Sequence, residues 1–213
     1  MKKLSFLGVI PARGGSKRIP KKNIRMIAGK PLIAWTIEAA KESKLLDYFV
    51  VSTEDPEIAA IAKQYGADVI ERPPELSTDE CGTWPVLQHV LSKIDSEAVV
   101  LLQPTSPIRD RGIIDYCIRR FRETGADNVA TGFICKFMEY GTYDQRQQDI
   151  KGFFYDDGNV YVIKSELILA GKRIGDKVER VITSREQNIE IDDEFDFWVA
   201  EQVLLRRIKE GRQ

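Results

Sequence analysis

The stretch Leu4-Ser5-Phe6-Leu7-Gly8-Val9-Ile10-Pro11-Ala12-Arg13-Gly14-Gly15-Ser16-Lys17-Arg18-Ile19-Pro20-Lys21-Lys22-Asn23 passes directly from an apolar run into a glycine-centred cationic turn. Residues 4–10 are apolar, rich in branched side chains and end at a proline, as expected of a parallel strand buried on both faces. The turn that follows carries five cations in eleven positions, Arg13 to Asn23, which repel one another unless an anion lies among them. Gly14 and Gly15 let backbone amides approach such an anion closely, and a triphosphate fits the need. The spacing matches neither a Walker A loop nor a Gly-x-Gly-x-x-Gly dinucleotide turn.

Outward from this stretch the strand pattern repeats at 48–51 and 98–102, with helical segments between. One helix is predicted to open at Pro31, with Leu32, Ile33, Ile37 and Ala40 on its apolar stripe. A second has Asp55 as cap, Pro56 at its first position and Gly66 as a left-handed stop. A third covers 110–124 with Ile113, Ile114, Cys117, Ile118 and Phe121 at helical spacing, closed by Gly125, and 127–135 returns as a strand. Residues 136–151 are polar and aperiodic, containing Tyr140, Gly141 and Tyr143, and 153–163 reads as a hairpin turning at Asp157-Gly158. Phe195, Trp198, Val199, Gln202 and Leu205 predict a last helix, followed by a solvated basic tail over 206–212. Alternating strands and helices predict an α/β protein with a mainly parallel sheet and helices on both faces. In such sheets ligands bind beyond the carboxyl ends of the strands. No repeat or linker divides the chain, so residues 1–213 read as a single domain.

Composition removes several classes of function. A formal charge of −1 over 213 residues leaves no overall basic field for nucleic acid or an anionic membrane. The start, Met1-Lys2-Lys3, is basic, but Pro11 and Arg13 cut the apolar run short of a signal segment, and no stretch has the length of a membrane span. A cytoplasmic location is expected. Cys81, Cys117 and Cys135 form no Cys-x-x-Cys pair and read as buried thiols rather than as a disulfide or zinc framework. His89 is the sole histidine and lies in an apolar helical pattern, which removes most histidine-based catalytic sites. Trp35, Trp84 and Trp198 read as packing residues.

Three further segments carry polar chemistry: Glu71-Arg72-Pro73-Pro74-Glu75-Leu76-Ser77-Thr78-Asp79, Gln103-Pro104-Thr105-Ser106-Pro107 and Glu190-Ile191-Asp192. On an extended chain Glu190 and Asp192 share one face, where two carboxylates suit Mg²⁺ together with phosphate oxygens. Asp193 and Asp196 read as caps of the last helix. A glutamine both donates and accepts, which suits the hydroxyls of a sugar.

With these motifs, and from 10–23 onward nearly end to end, the sequence resembles the acylneuraminate cytidylyltransferases, or CMP-sialic acid synthetases, including those for legionaminic and pseudaminic acids. The resemblance implies a three-layer α/β/α, Rossmann-like nucleotidyltransferase fold, and transfer of CMP from CTP to the anomeric hydroxyl of a nonulosonic acid with release of pyrophosphate. By the same resemblance Ala12, Arg13, Ser16, Lys17, Lys22 and Asn23 hold the nucleotide and its phosphates. Arg13, Lys17, Lys22 and Asp192 then serve catalysis, Arg72 lies against the base, and Thr83 stands near the nucleotide. Gln103, Thr105 and Ser106 face the acceptor, and Mg²⁺ is held by Asp192 with Glu190. The resemblance also implies a homodimer, with 136–163 as a dimerisation or sugar-binding excursion. Two departures stand out. The first metal carboxylate is a glutamate where the family pattern has aspartate, and the sugar-binding region from Gln148 to Tyr161 matches only in part. Alternative readings are a related enzyme using the eight-carbon acid Kdo or GTP, against Kdo of which the full first motif argues, and a non-catalytic nucleotide-binding protein of the same fold.

Overall fold

A computed structural model describes residues 3–142 and 144–212, so the sequence expectations touching Met1, Lys2 and Tyr143 lie outside the described residues. The elements are β1 (Leu4–Pro11), β2 (Met26–Ile27), β3 (Lys30–Pro31), α1 (Leu32–Glu42), β4 (Tyr48–Thr53), α2 (Pro56–Gln64), β5 (Asp68–Glu71), α3 (Thr83–Leu91), β6 (Ser96–Leu101), α4 (Ile113–Thr124), β7 (Asn128–Cys135), β8 (Phe153–Lys164), α5 (Ser165–Leu169), β9 (Val178–Ile182) and α6 (Glu194–Lys209). Seven strands form one sheet in the order β5-β4-β1-β6-β8-β7-β9, while β2 and β3 make a separate short ladder. Every pairing in the large sheet is parallel except the two made by β8, which runs against β6 and β7.

The three layers follow from alternation in the strands. Phe6 and Ile10 of β1 pack with Ile33, Ile58 and Ile118, which puts α1, α2 and α4 on one face. Leu7 and Val9 pack with Leu87, Val90 and Ile168 of α3 and α5 on the other. Burying a Leu or Ile side chain this fully stabilises the fold by about 1.5–3 kcal/mol. A third cluster, with Ile19, Trp35, Ile108, Ile191 and Phe197, lies beyond the sheet and ties α6 and the cationic loop to α1. Asp55 caps α2 by accepting from the amides of Glu57 and Ile58, and Asp193 and Asp196 form a reciprocal capping box on α6. Gly66 and Gly125 close α2 and α4 with positive φ, as their positions predicted.

Several expectations are corrected. Residues 153–163 are no hairpin: β8 is one strand of 12 residues. Its register jumps from Tyr161 opposite Ala130 to Asp156 opposite Gly132, so Asp157 to Val160 bulge out of the ladder. The turn residues produce a bulge because β7 pairs with the strand both before and after them, and β6 pairs with it after them. The excursion is accordingly residues 136–152 alone, since 153–163 lie inside the sheet. Pro31 precedes α1 as its cap residue, and the third predicted helix starts at Ile113. Of the face predicted for α6, Phe195, Trp198 and Leu205 are exposed, and Phe197, Ala200, Leu204 and Arg207 are buried instead. Trp198 is therefore not a packing residue. The basic tail is not wholly solvated either, because Arg207 is buried and paired with Asp110 at 2.8 Å and Glu186 at 3.0 Å.

At Gly125 (φ +63) an added Cβ meets nothing within 4 Å, so its constraint is purely conformational. Gly125→Ala is expected to lower stability by about 1 kcal/mol, read from the denaturant midpoint, with the slope of the transition unchanged.

Candidate active site

The cationic turn leaves β1 at the sheet's centre, where β4 pairs on one side and β6 on the other. A crevice opens beyond the strand ends at this kind of junction. The Ala12 amide donates to the Ser52 carbonyl at 3.0 Å, extending the pairing with β4 by one step. The Gly14 amide donates to Glu54 Oε1 at 2.7 Å, and a Cβ on Gly14 would lie 2.2 Å from Asp55 Oδ2. Glycine is thus required by the close approach of the β4–α2 junction. Asn23 is buried and donates through Nδ2 to the Arg13 carbonyl at 2.9 Å, which folds the turn back on itself. Ile19 is fully buried and anchors the far side.

A cavity of about 550 Å³ lies over this turn. Arg13, Ser16, Lys17, Lys22 and Asn23 line it from the first loop, Arg72 from the end of β5 and Thr83 from the start of α3. Gln103 and Thr105 enter from the end of β6, and Glu190 and Asp192 from the segment before α6. Two residues predicted for the site stand apart. Ala12 is fully buried in the core beneath the turn, and its amide is spent on β4. Ser106 is also fully buried and donates to the Asp157 carbonyl at 3.1 Å, so its hydroxyl supports the wall rather than forming it. Cys81 was expected to be buried but is half-buried and lines the cavity.

The amino-terminal cations and carboxyl-terminal carboxylates meet here. Lys22 Nζ donates to the Ile191 carbonyl at 2.6 Å, between the two acidic side chains, and Arg18 lies 3.8 Å from Asp192. Burial lowers the Lys22 amine from its ordinary range, while the charges of Asp192 and Glu190 act to raise it. Glu190 is shifted the other way: crowding by protein raises its carboxyl, the negative charges of Asp192 and Asp156 add to this, and the Thr105 hydroxyl at 3.4 Å opposes it. A like-charged pair left in this state favours a cation between its members. Among the described residues no three histidine, cysteine or acidic side chains gather into a metal cluster. Glu190 and Asp192 are therefore a two-carboxylate donor set, which fits a hard cation that takes its remaining oxygens from phosphate and water.

Other carboxylates occupy the turn's donors. Asp79 pairs with Arg13 at 2.9 Å and with Lys17, and these contacts hold its carboxyl below the usual range. Glu54 accepts from both the Gly14 amide and the Ser77 hydroxyl. Arg72 is buried, gives Nη2 to the Ser52 carbonyl at 2.7 Å and is lowered chiefly by desolvation. It is a fixed, planar wall rather than a mobile surface charge.

A second cavity, also of about 550 Å³, shares Thr83 and Gln103 with the first. Its walls mix apolar Phe154 and Ile174 with Asp156, Tyr161, Arg173 and Arg180. Tyr161 donates to Asp156 Oδ2 at 2.7 Å, Arg173 stacks over Trp84 and Arg180 over Phe154. Asp156 and Tyr161 fall in the stretch that the resemblance assigns to sugar binding, whereas the sequence reading missed Arg173 and Arg180, along with the roles of Glu54 and Asp79. Asp79 lay inside a quoted motif, whereas Arg173 and Arg180 sit in a segment with no periodic signal.

The sequence model of a protein family described as cytidylyltransferase matches residues 7–202. The N-acylneuraminate cytidylyltransferase of Escherichia coli O18:K1:H7 is 31% identical over 92% of this chain and 51% of its own length. N-acylneuraminate cytidylyltransferase A of Danio rerio is 35% identical over 93% of this chain and 50% of its own. The CMP-N,N'-diacetyllegionaminic acid synthase of Legionella pneumophila is 32% identical over 94% of this chain and 97% of its own. The chain thus spans about half the length of the first two relatives and nearly all of the third. Among solved structures, a CMP:2-keto-3-deoxy-manno-octonic acid synthetase complexed with CTP superposes with a TM-score of 0.76 over 95% of this chain and 99% of its own, at 16% identity. That likeness concerns the fold.

A carboxyl raised by folding binds its proton more tightly in the native than in the unfolded state, so it costs stability as pH rises from the ordinary glutamate value through the raised one. Glu190→Gln removes that cost. Without divalent cations its melting temperature is expected to exceed the parent's at neutral pH, the gap closing as pH falls below the ordinary carboxylate range. A constant gap across the titration would contradict the shift.

Proposed function

The chain belongs to the cytidylyltransferase family, and from that premise we propose that it transfers CMP from CTP to the anomeric hydroxyl of a sialic-acid-like nonulosonic acid, releasing pyrophosphate. The supporting observation is the convergence of the cationic turn and the 190–192 carboxylates on one cavity, with Lys22 bonded to Ile191 across the join. The nucleotide occupies the first cavity with its phosphates along Arg13, Ser16, Lys17 and Lys22 and its base towards Arg72. The sugar acid occupies the second, with a carboxylate drawn to Arg173 or Arg180 and hydroxyls to Gln103, Asp156 and Tyr161. Gln103 and Thr83, common to both cavities, then stand where the two substrates meet.

In this reading the acceptor hydroxyl's oxygen forms a bond to the α-phosphorus and gives up its proton to water, as the bond from α-phosphorus to the pyrophosphate oxygen breaks in line with it. Holding both substrates at one junction supplies most of the acceleration, and the cations of the turn offset charge as pyrophosphate departs. Glu190 and Asp192 would hold Mg²⁺, which when bound supplies charge neutralisation at the reacting phosphate. The turn must exchange partners for this to happen. Arg13 and Lys17 give up Asp79 for phosphate oxygens, and the Gly14 amide is freed from Glu54.

A dimer and a cytoplasmic location belong to the same reading. Phe137 (75% exposed) and Tyr140 (99%) on the 136–152 arm, and Ile134, Phe153 and Tyr155 at the adjoining ends of β7 and β8, are exposed apolar side chains that suit a second copy of the chain. Among the described residues no helix is long and apolar enough to cross a membrane.

Pyrophosphate release measured with CTP, UTP, GTP and ATP against a panel of nonulosonic acids and Kdo tests the assignment. CTP with a nonulosonic acid is expected to be the productive pair, and productive use of Kdo or GTP instead would replace it. Asp192→Ala is expected to abolish turnover at saturating Mg²⁺ while CTP still binds; wild-type turnover in that variant would remove Asp192 from the reaction. For Asp79→Asn, calorimetry is expected to show CTP binding several-fold more tightly, since a competitor for Arg13 and Lys17 is gone. Unchanged or weaker binding would mean Asp79 orders the site rather than competes for it.

A further inference from the structure

Arg109 and Asp157 are both buried, at 7% and 3% exposure, and neither lines either cavity of the active site. Arg109 donates Nη1 to Thr36 Oγ1 at 2.8 Å and Nη2 to the carbonyls of Gln103 at 2.7 Å and Asn159 at 3.0 Å. Asp157 accepts at Oδ1 from Thr131 Oγ1 at 2.6 Å and from the Asn159 amide at 3.0 Å. Its Oδ2 accepts from Thr183 Oγ1 at 2.8 Å, and its carbonyl accepts from Ser106 Oγ at 3.1 Å. No direct bond joins the two charges in this set, but the carboxylate's field supports the guanidinium, which burial pushes down to about 9 and leaves charged at neutral pH.

These bonds join the end of β6 to the bulge of β8, and the bulge to the segment that carries the acidic pair. Asn159 Nδ2 donates to the Ile108 carbonyl at 2.7 Å, and Thr183 Oγ1 also lies 3.0 Å from Asn188 Oδ1. The bulge reaches the chemistry through Gly158. At its φ of +68 a Cβ would stand 3.2 Å from Gln103 Nε2, 3.2 Å from Glu190 Oε1 and 3.0 Å from Ser106 Oγ. The backbone at Gly158 is therefore packed directly against both the acceptor-side amide and a carboxylate of the metal site.

Stability does not require these two buried charges, because taking charge out of water is costly and apolar replacements of similar shape are commonly no less stable. What the pair adds is a fixed geometry. We propose that Arg109 and Asp157 are positioning residues for the transfer reaction, clamping the β8 bulge so that Gly158 sets the placement of Gln103 and Glu190. This rests on the proposed CMP transfer and assigns a role to groups that touch no substrate.

The test is Asp157→Asn, which keeps the side chain's shape and an oxygen for the two bonds accepted at Oδ1, but removes the charge and makes the Oδ2 position a donor. Steady-state kinetics would use CTP with N-acetylneuraminate or N,N'-diacetyllegionaminate, whichever the parent accepts, and CTP affinity would be measured separately by calorimetry. The KM for the sugar acid is expected to rise about tenfold, with kcat falling, because misplacement of about 1 Å is costly to a positioned reaction. CTP affinity measured without Mg²⁺ is expected to stay within about twofold, since no residue of the bulge lines the first cavity and Glu190 would meet CTP only through the metal. Parent-like KM and kcat in the folded variant, or parallel loss of CTP binding and sugar KM, would make the pair purely structural and overturn the proposal. Should Asp157→Asn not fold, Ser106→Ala removes only the hydroxyl bond to the Asp157 carbonyl; a smaller rise in sugar KM is expected, and an unchanged KM overturns the proposal. If the parent itself releases no pyrophosphate from CTP with any sugar acid, the function falls and the positioning role with it. An active parent with indifferent variants removes the positioning role alone.

Discussion

Like charges crowded at one end of a sheet are the constraint around which this molecule is organised. Five cations follow β1, and they persist together because carboxylates from three other segments meet four of them: Glu57 in α2 on Lys21, Asp79 before α3 on Arg13 and Lys17, and Asp192 before α6 near Arg18. They come from separate parts of the chain, so the charge balance holds only if β1, β4 and β5 lie side by side in register. The apolar faces of β1 secure that register by packing against helices on both sides of the sheet.

A sheet of parallel strands gathers its loops at one end, and the antiparallel β8 brings a strand interior to that end as well. Its bulge supplies the second cavity's Asp156 and Tyr161 on one side and the buried Asp157 on the other. The two cavities therefore have different characters. The first is walled by loops and formal charge, the second by strand residues and aromatic rings carrying arginines above them.

Much of this was legible in the sequence because the signals were local. The cationic turn, the Asp55-Pro56 start of α2, the stops at Gly66 and Gly125 and the capping box at Asp193 each depend on a few neighbouring residues and appear as predicted. The misreadings have a common cause, the override of local pattern by distant partners. Asp157-Gly158 has the chemistry of a tight turn, yet pairing with β6 and β7 holds the chain straight and makes it a bulge. In α6 the apolar residues Phe195 and Trp198 advertise a buried face, while the helix turns Phe197 and Leu204 inward, and its buried Arg207 is held by Asp110 and Glu186 from remote segments. For the site, the loop residues that line the first cavity stand in motifs visible in the sequence. The burial of Ser106 and the second cavity's arginines could not be, because both depend on how β8 and the chain before β9 close over the strand ends.

The internal carboxylates at the turn also bear on how binding should respond to ionic strength. A bare cationic loop holds mobile anions from solution, and a polyanionic ligand that expels them loses affinity steeply as salt is added. Here part of that counter-charge is tethered, with Asp79 on Arg13 and Lys17 and Glu54 on the Gly14 amide. Under the proposed exchange a triphosphate would swap one fixed anion for another and release few free ions, so its salt dependence would be shallower than the number of lysines and arginines around the turn suggests.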